Sequence, residues 1–328
     1  MKRNWLSYMC MAALLSGALT SCNESSFLNL SDPNHFTESN FWKDKADAES
    51  ALAAAYSPIK GAMYGYFSAF DGWLNLNGRG DDIFTIKGEE VPMWNIANFL
   101  NSPSTGNDPY GALYSGIQRA NIVLRYIDQI PASGITEEDR SMIKGEALFL
   151  RGYQYFLLVN NYKEVPLRLI PSNEDETNKG PASEAALWTQ VEEDLGNAIK
   201  CNLPVERTTA KERVTKGAAI AMLGKVYATQ HKYPEAKQLL VSLLSAPYSY
   251  ELVDDFAKNF TNEEEFNKES VYEIAYSPDG EYSWSNESGI CLGCYIPQFI
   301  GPVKSGGWAK LMPNSFIVGE FTKETRRS

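Results

Sequence analysis

Residues 214–244 read VTKGAAIAMLGKVYATQHKYPEAKQLLVSLL. The spacing predicts two antiparallel helices. Ala219, Leu223, Val226 and Tyr227 fall on one face of the first, and Ala236, Leu239, Leu240 and Leu243 fall on one face of the second. His231-Lys232-Tyr233 is too short a link for anything but a reversal of direction. Pro234 suits the first turn of the second helix, where its missing N–H has no partner to lose. A hairpin of this kind cannot bury its apolar face alone, so it calls for neighbours.

The finer spacing of Leu223-Gly224, Tyr227, Tyr233 and Ala236 follows the tetratricopeptide pattern, in which small residues let two helices approach and aromatics fill the gap. An ordinary hairpin in an all-α core is the plainer reading of the same stretch. Working outward, the helical period recurs upstream. A first helix starts near Asp44 and runs toward Gly61, with Ala48, Ala51, Leu52, Ala55, Tyr56 and Ile59 on one face and Pro58 ending or kinking it. A second covers Tyr110 to Ile130, and its inward face includes Asn121, a polar anchor that must be hydrogen-bonded if buried. Thr136 and Asp139 open a third that runs to Tyr162, before Pro166 forbids its resumption. Ser183 caps a fourth, with Leu187, Trp188, Val191, Leu195, Ala198 and Ile199 inward. The fold class is therefore mainly α, built of helical hairpins. Residues 269–276 alternate in part and predict one short strand.

Between and after the helices the chain changes character. Residues 63–107 and the region beyond Ser277 hold no helical period but are rich in aromatics, which argues against disorder. Asn77-Gly78-Arg79-Gly80-Asp81-Asp82 reads as a tight turn presenting two carboxylates; its Arg-Gly-Asp triplet is too short to indicate integrin binding.

Composition narrows the function classes. At 44% hydrophobic and 22% charged, the chain is that of a globular protein. Its net charge of −11 argues against nucleic acid as ligand, since phosphate binding needs clustered Lys and Arg. With two histidines, His35 and His231, mechanisms needing a His base or several His ligands are weakened. No nucleophile elbow or phosphate loop is present. The runs Glu192-Glu193-Asp194 and Glu263-Glu264-Glu265 read as solvated charge.

The N-terminus carries an address. Lys2 and Arg3 precede a short apolar run from Trp5 to Leu19, and Leu19-Thr20-Ser21-Cys22 is a lipobox. Residues 1–21 are thus expected to be a lipoprotein signal peptide and Cys22 the lipidated residue. Residues 22–40 would form a tether and 41–328 a single helical domain. Loss of the two cations in 1–21 takes the net charge from −11 to −13.

An ordered set of short matches goes further. Phe27-Leu28, Asp32-Pro33, Phe41-Trp42, Asp47-Ala48-Glu49 and Ala54-Ala55-Tyr56 come first. Ile117 through Ala120-Asn121, Glu146-Ala147, Phe149-Leu150-Arg151-Gly152-Tyr153 and Tyr155-Phe156 follow. Tyr162 through Val165-Pro166-Leu167, Glu193-Asp194-Leu195, Ala198-Ile199, Ala218 through Leu223-Gly224-Lys225-Val226-Tyr227 and Glu269-Ser270-Val271 complete the series. In this order, and with the lipobox, the chain resembles the SusD/RagB nutrient-binding lipoproteins of Bacteroidetes outer membranes. The resemblance implies an α-α superhelix on tetratricopeptide-like hairpins and a lipid-anchored, surface-exposed place on the outer membrane. It implies a protein that captures oligosaccharide and passes it to a SusC-like TonB-dependent transporter; we read it as non-enzymatic, with no cofactor and no metal-ligating residues assigned, and whether a metal ion binds stays open. Peptide capture by the same fold, or a scaffold binding only protein, are the alternatives. Family members continue where this chain stops at Ser328, so part of the family fold is expected to be missing.

Sugar rings have apolar faces and polar edges, so a binder needs flat aromatics flanked by Asp, Asn or Arg. The first irregular stretch supplies Arg79, Asp81, Asp82, Trp94 and Asn98, and the last supplies Tyr282, Trp284 and Trp308. Each Trp alone could equally fill a gap under a loop. Cys291-Leu292-Gly293-Cys294 has redox spacing without the strand–helix flanks of a redox domain; in an exported chain it reads as a local disulfide, with two free thiols as the alternative. Cys201 is expected to be a small buried side chain.

Overall fold

The computed structural model describes residues 41–60, 67, 72, 77–85, 91–100, 109–172, 174–277 and 296–324. Residues 1–40, with the expected signal peptide, Cys22 and tether, fall outside the described residues. The chain divides into Met1–Lys43 and a compact unit from Asp44 onward.

Helix α1 spans Lys45–Lys60. Asp44 Oδ1 caps it, accepting from the backbone N–H of Ala46 at 2.8 Å and Asp47 at 3.2 Å. Pro58 lies inside the helix and does not end it. Pro58 has no N–H for the carbonyl of Ala54; Arg119, from the next long helix, donates to that carbonyl instead at 2.9 Å. A short strand β1 (Ile83–Thr85) and a short helix α2 (Val91–Ala97) follow. Helix α3 spans Tyr110–Tyr126 and tightens into a 3-10 turn at Ile127–Gln129. Helix α4, Glu137–Tyr162, starts at Thr136, whose hydroxyl accepts from Asp139 N–H at 3.1 Å. Lys163, with φ of 64°, turns the chain out of it.

After the single turn α5 (Glu174–Thr177), helix α6 spans Glu184–Lys200 and is capped by Ser183. The decisive hairpin is α7 (Lys216–Thr229) and α8 (Tyr233–Ser242). The last described elements are α9 (Ile296–Ile300), β2 (Leu311–Pro313) and α10 (Ser315–Glu324).

The long helices pack in a chain: α1 on α3, α3 on α4, α4 on α6, α6 on α7 and α7 on α8. Helix α4 is the spine, touching α1, α3 and α6 at once. Its Ile143, Ala147, Phe149, Leu150 and Leu158 are buried, as are Arg140, Glu146, Arg151 and Gln154. Buried charges must be paired. Arg151 grips Asp194 of α6 with two hydrogen bonds, at 2.8 and 2.6 Å, and donates at 2.9 Å to Asn121 of α3. The Asn121 amide then donates to the carbonyls of Arg168 and Ile170, both at 3.1 Å, so it is the polar anchor expected. Glu146 collects Arg207 at 2.7 Å, Arg213 at 2.7 and 2.9 Å, and the Tyr56 hydroxyl at 2.5 Å. Tyr56 O–H is pushed well above its usual range, by burial first and by the adjacent Glu146 second, so it stays a donor.

The structure corrects several expectations. Asp194 is not solvated; at α-helical spacing it follows Val191 onto the buried face, where Arg151 neutralises it. Residues 269–276 form no strand; among the described residues no backbone pairs with them as a ladder, and the Glu269 carboxylate instead accepts from Val253 N–H and Asn259. Of the predicted face of α8 and its C-cap, only Ala236 and Leu243 are buried, because among the described elements α7 is the main one packed on this helix; Leu240 is 40% exposed. Cys201 is half-buried, a free thiol at the end of α6 whose pKa burial raises. Residues 91–97 and 315–324 are helical where irregular chain was expected.

Candidate functional site

Residues of the two aromatic-rich stretches meet at a ribbon. β1 pairs antiparallel with β2, Ile83 opposite Pro313 and Thr85 opposite Leu311. Asn314 locks one end. Its N–H donates to the Asp82 carbonyl at 2.9 Å, its side-chain amide donates to the Asp81 carbonyl, and its Oδ1 caps α10 by accepting from Ile317 N–H at 2.9 Å. Asn314 was not among the residues expected to matter. An Asn preceding Ser315 and an apolar run is a readable helix cap, but nothing in the sequence connects it to Asp81.

The turn before β1 presents Arg79, Asp81 and Asp82, all exposed. It is closed by Gly80 N–H donating to Asn77 carbonyl at 2.8 Å. A Cβ on Gly80 would lie 2.6 Å from a carboxylate oxygen of the exposed Asp82, which can swing aside, and 3.2 Å from the Asn77 carbonyl, a tight contact that a small shift of the turn would relieve. Helix α2 packs beside β1 and carries Trp94, half-buried; Asn98, exposed, follows directly after it. The Asn98 amide donates to the Trp94 carbonyl at 2.7 Å, which finishes the helix. Phe84, Phe99 and Leu100 stay exposed at 42%, 71% and 53% around this corner.

At the other end of β2, Trp308 is half-buried and lies on the fully buried Phe299, with ring centroids 5.6 Å apart; the Lys310 ammonium sits 6.0 Å from its ring. Backbone bonds from Trp308 to Gln298 (2.8 Å), Ala309 to Gly301 (3.0 Å) and Lys310 to Phe299 (2.9 Å) hold this arm. It closes because Gly307 lies against Gly301: a Cβ on Gly307 would be 2.1 Å from the Gly301 carbonyl oxygen.

Thus Arg79, Asp81 and Asp82 gather at one end of the ribbon, Trp308 lies beyond the other, and Trp94 and Asn98 flank β1. Asn314 lies six residues beyond Trp308, at most about 22 Å of extended chain. Chemically the ends and flank of the ribbon together offer carboxylates, a guanidinium, an amide and indole surfaces, the inventory for polar and stacking contacts. Tyr282, Trp284, Cys291 and Cys294 lie outside the described residues. Among the described residues no cluster of three or more His, Cys, Asp or Glu could hold a metal ion, and no helix is long and apolar enough to cross a membrane.

Comparison with known proteins places this geometry in context. Residues 80–228 match a SusD-like family profile described as starch-binding and associating with the outer membrane. SusD-like protein P38 of Formosa agariphila is 26% identical over 234 residues, which cover 70% of this chain and 43% of that protein. A SusD superfamily protein from Bacteroides vulgatus superposes with a TM-score of 0.71 at 27% identity, covering 85% of this chain and 57% of the other. A laminarin-binding SusD-like protein superposes with a TM-score of 0.76 at 27% identity, covering 84% and 63%. The chain therefore spans less than two thirds of the length of these relatives.

Proposed function

Because the chain is similar to SusD-like proteins in both sequence and fold, we propose that it is a non-catalytic cell-surface protein that captures oligosaccharide at the β1–β2 ribbon. Anchored through a lipid on Cys22, it delivers that sugar to a SusC-like TonB-dependent transporter in the outer membrane. The observation that carries this reading is the ribbon itself, which draws residues 79–85, 91–98 and 308–314 onto one scaffold. Trp94 and Trp308, with Tyr282 and Trp284, stack on sugar faces. Arg79, Asp81, Asp82 and Asn98 bond the hydroxyl edges. The family's description as starch-binding and a 27%-identical neighbour that binds laminarin support a neutral glucan as the substrate class.

Titration with maltohexaose and laminarihexaose, alongside a reducing-sugar assay, tests it. Binding of at least one hexaose without hydrolysis, weakened at least tenfold in a Trp94→Ala, Trp284→Ala, Trp308→Ala triple variant, is the expected result. Unchanged affinity in that variant would refute the site. Turnover of the sugar, or capture of peptides but no glycan, would refute the function. For the anchor, mass spectrometry of the mature N-terminus is decisive, and an unmodified Cys22 would sink it.

A further inference from the structure

Away from the ribbon, a cleft of about 330 Å³ opens between residues 205–215 and the segments 247–250 and 266–273. None of the residues assigned above to the ribbon site lines it. Its wall is aromatic. Tyr248 and Tyr250 stack with ring planes 11° apart and centroids 6.1 Å apart. Tyr272 lies on the same wall, braced edge-on by Phe149 of α4 at 5.4 Å. The sequence accommodates this arrangement at the first turn of α7: a Cβ on Gly217 would lie 2.2 Å from the Tyr250 hydroxyl oxygen, so glycine is what lets the ring seat there.

The charges of the cleft are mostly committed elsewhere. Arg207 donates to buried Glu146 at 2.7 Å and to the Val214 carbonyl at 3.1 Å. Lys268 faces Glu251 at 3.3 Å and Asp254 at 3.8 Å. Glu273 accepts from Phe266 N–H at 3.0 Å. The exposed Glu206 and Lys211 have opposite signs and offset each other. An ionic ligand finds no net charge to hold it. A wholly apolar ligand would strip water from the charged and hydroxyl-bearing rim without replacing its hydrogen bonds. A neutral ring, apolar on its faces and hydroxylated at its edges, matches both wall and rim.

We propose that this cleft is a second saccharide site, holding one neutral sugar unit or the end of a neutral oligosaccharide against the Tyr248–Tyr250 pair. The inference rests on the reading of the chain as a glycan binder and adds a second point of attachment on the helical scaffold.

The test is calorimetric titration of the full chain with laminarihexaose and with maltohexaose. Two cleft variants are used: Tyr248→Ala removes a platform, and Ser270→Trp fills the cleft without touching the tyrosine pair. A third, Trp94→Ala with Trp308→Ala, disables the ribbon. For at least one hexaose, the parent should show two binding phases. Each cleft variant, at unchanged melting temperature, should weaken one phase by roughly tenfold, the upper range for an aromatic contact, and spare the other. The ribbon variant should do the converse. Cleft variants with the parental isotherm, or a parent with one phase that the ribbon variant abolishes, overturn the cleft and leave the ribbon reading intact. A ribbon variant with the parental isotherm, beside cleft variants that lose binding, overturns the ribbon reading and keeps the cleft. A parent that binds neither hexaose overturns the cleft, as does a cleft whose blockage changes only peptide capture.

Discussion

Glu146→Ala is the sharpest single test of how the helices are tied together. The carboxylate is fully buried on α4, and it accepts from Arg207, Arg213 and Tyr56. It therefore joins the spine both to α1 and to the segment leading into α7. Its removal leaves two guanidiniums facing each other, with side chains only 9% and 21% exposed. Glu49, at 2.8 Å from Arg213, compensates one of them, but Arg207 keeps only a carbonyl partner. Breaking a buried ion pair on one side destabilises by about 3–5 kcal/mol, which corresponds to a fall in melting temperature of roughly 6–20 °C for a domain of this size. Differential scanning calorimetry of Glu146→Ala, Arg213→Ala and the double variant would measure it. Arg213→Ala should be milder, because Glu146 retains Arg207 and Tyr56. The double variant should lose less than the two singles together, since they share one network. A fall of under about 2 °C for Glu146→Ala, or strict additivity, would refute the view that this carboxylate ties α1, α4 and α7 together.

Three further outcomes follow from the packing. Lys45 Nζ, at 2.8 Å, holds the Asp139 carboxyl below its ordinary value of 3.8, with the Thr136 hydroxyl helping and partial burial opposing. A depressed pKa stabilises the fold above the unfolded value and loses that contribution as pH falls through the folded one. Asp139→Asn should therefore be less stable near neutrality and show a flatter melting temperature against pH below about 4; an unchanged acid slope would contradict this. Leu243→Ala should cost about 2–4 kcal/mol in urea unfolding, and Leu244→Ala, at 76% exposed, within about 0.5 kcal/mol, so equal effects would mean α8 is misplaced on α7. Gly307→Ala cannot keep its contact with Gly301 and should weaken hexaose binding at the ribbon while leaving far-ultraviolet helicity intact; full binding would show that this arm does not position Trp308.

The helical scaffold was legible because its signals are local and redundant. Asp44, Thr136 and Ser183 announce helix starts, and apolar residues three and four apart mark the buried faces. Asn121 could be read as a buried anchor from its place on such a face, but its partner Arg151 could not, because charge alone does not say which face of α4 packs. The same gap hid Asp194 behind two neighbouring glutamates. Burial on α8 was overestimated because amphipathic spacing records what a helix could bury, not how many neighbours arrive. The candidate site was readable only as residue types in irregular chain. Ile83–Thr85 and Leu311–Pro313 are each three residues long, too short to carry an alternation, so no pattern linked Asp82 with Asn314.

That link sets an order of events during synthesis. Helices α1 to α8 make mostly contacts between consecutive elements, and such contacts form quickly and as the chain emerges. The ribbon must instead close a loop between residues 83 and 313, at the entropic cost of a long closure. The helical scaffold thus serves as the template on which the ribbon is assembled last, and a nascent chain arrested before β2 would be largely folded yet unable to form that ribbon.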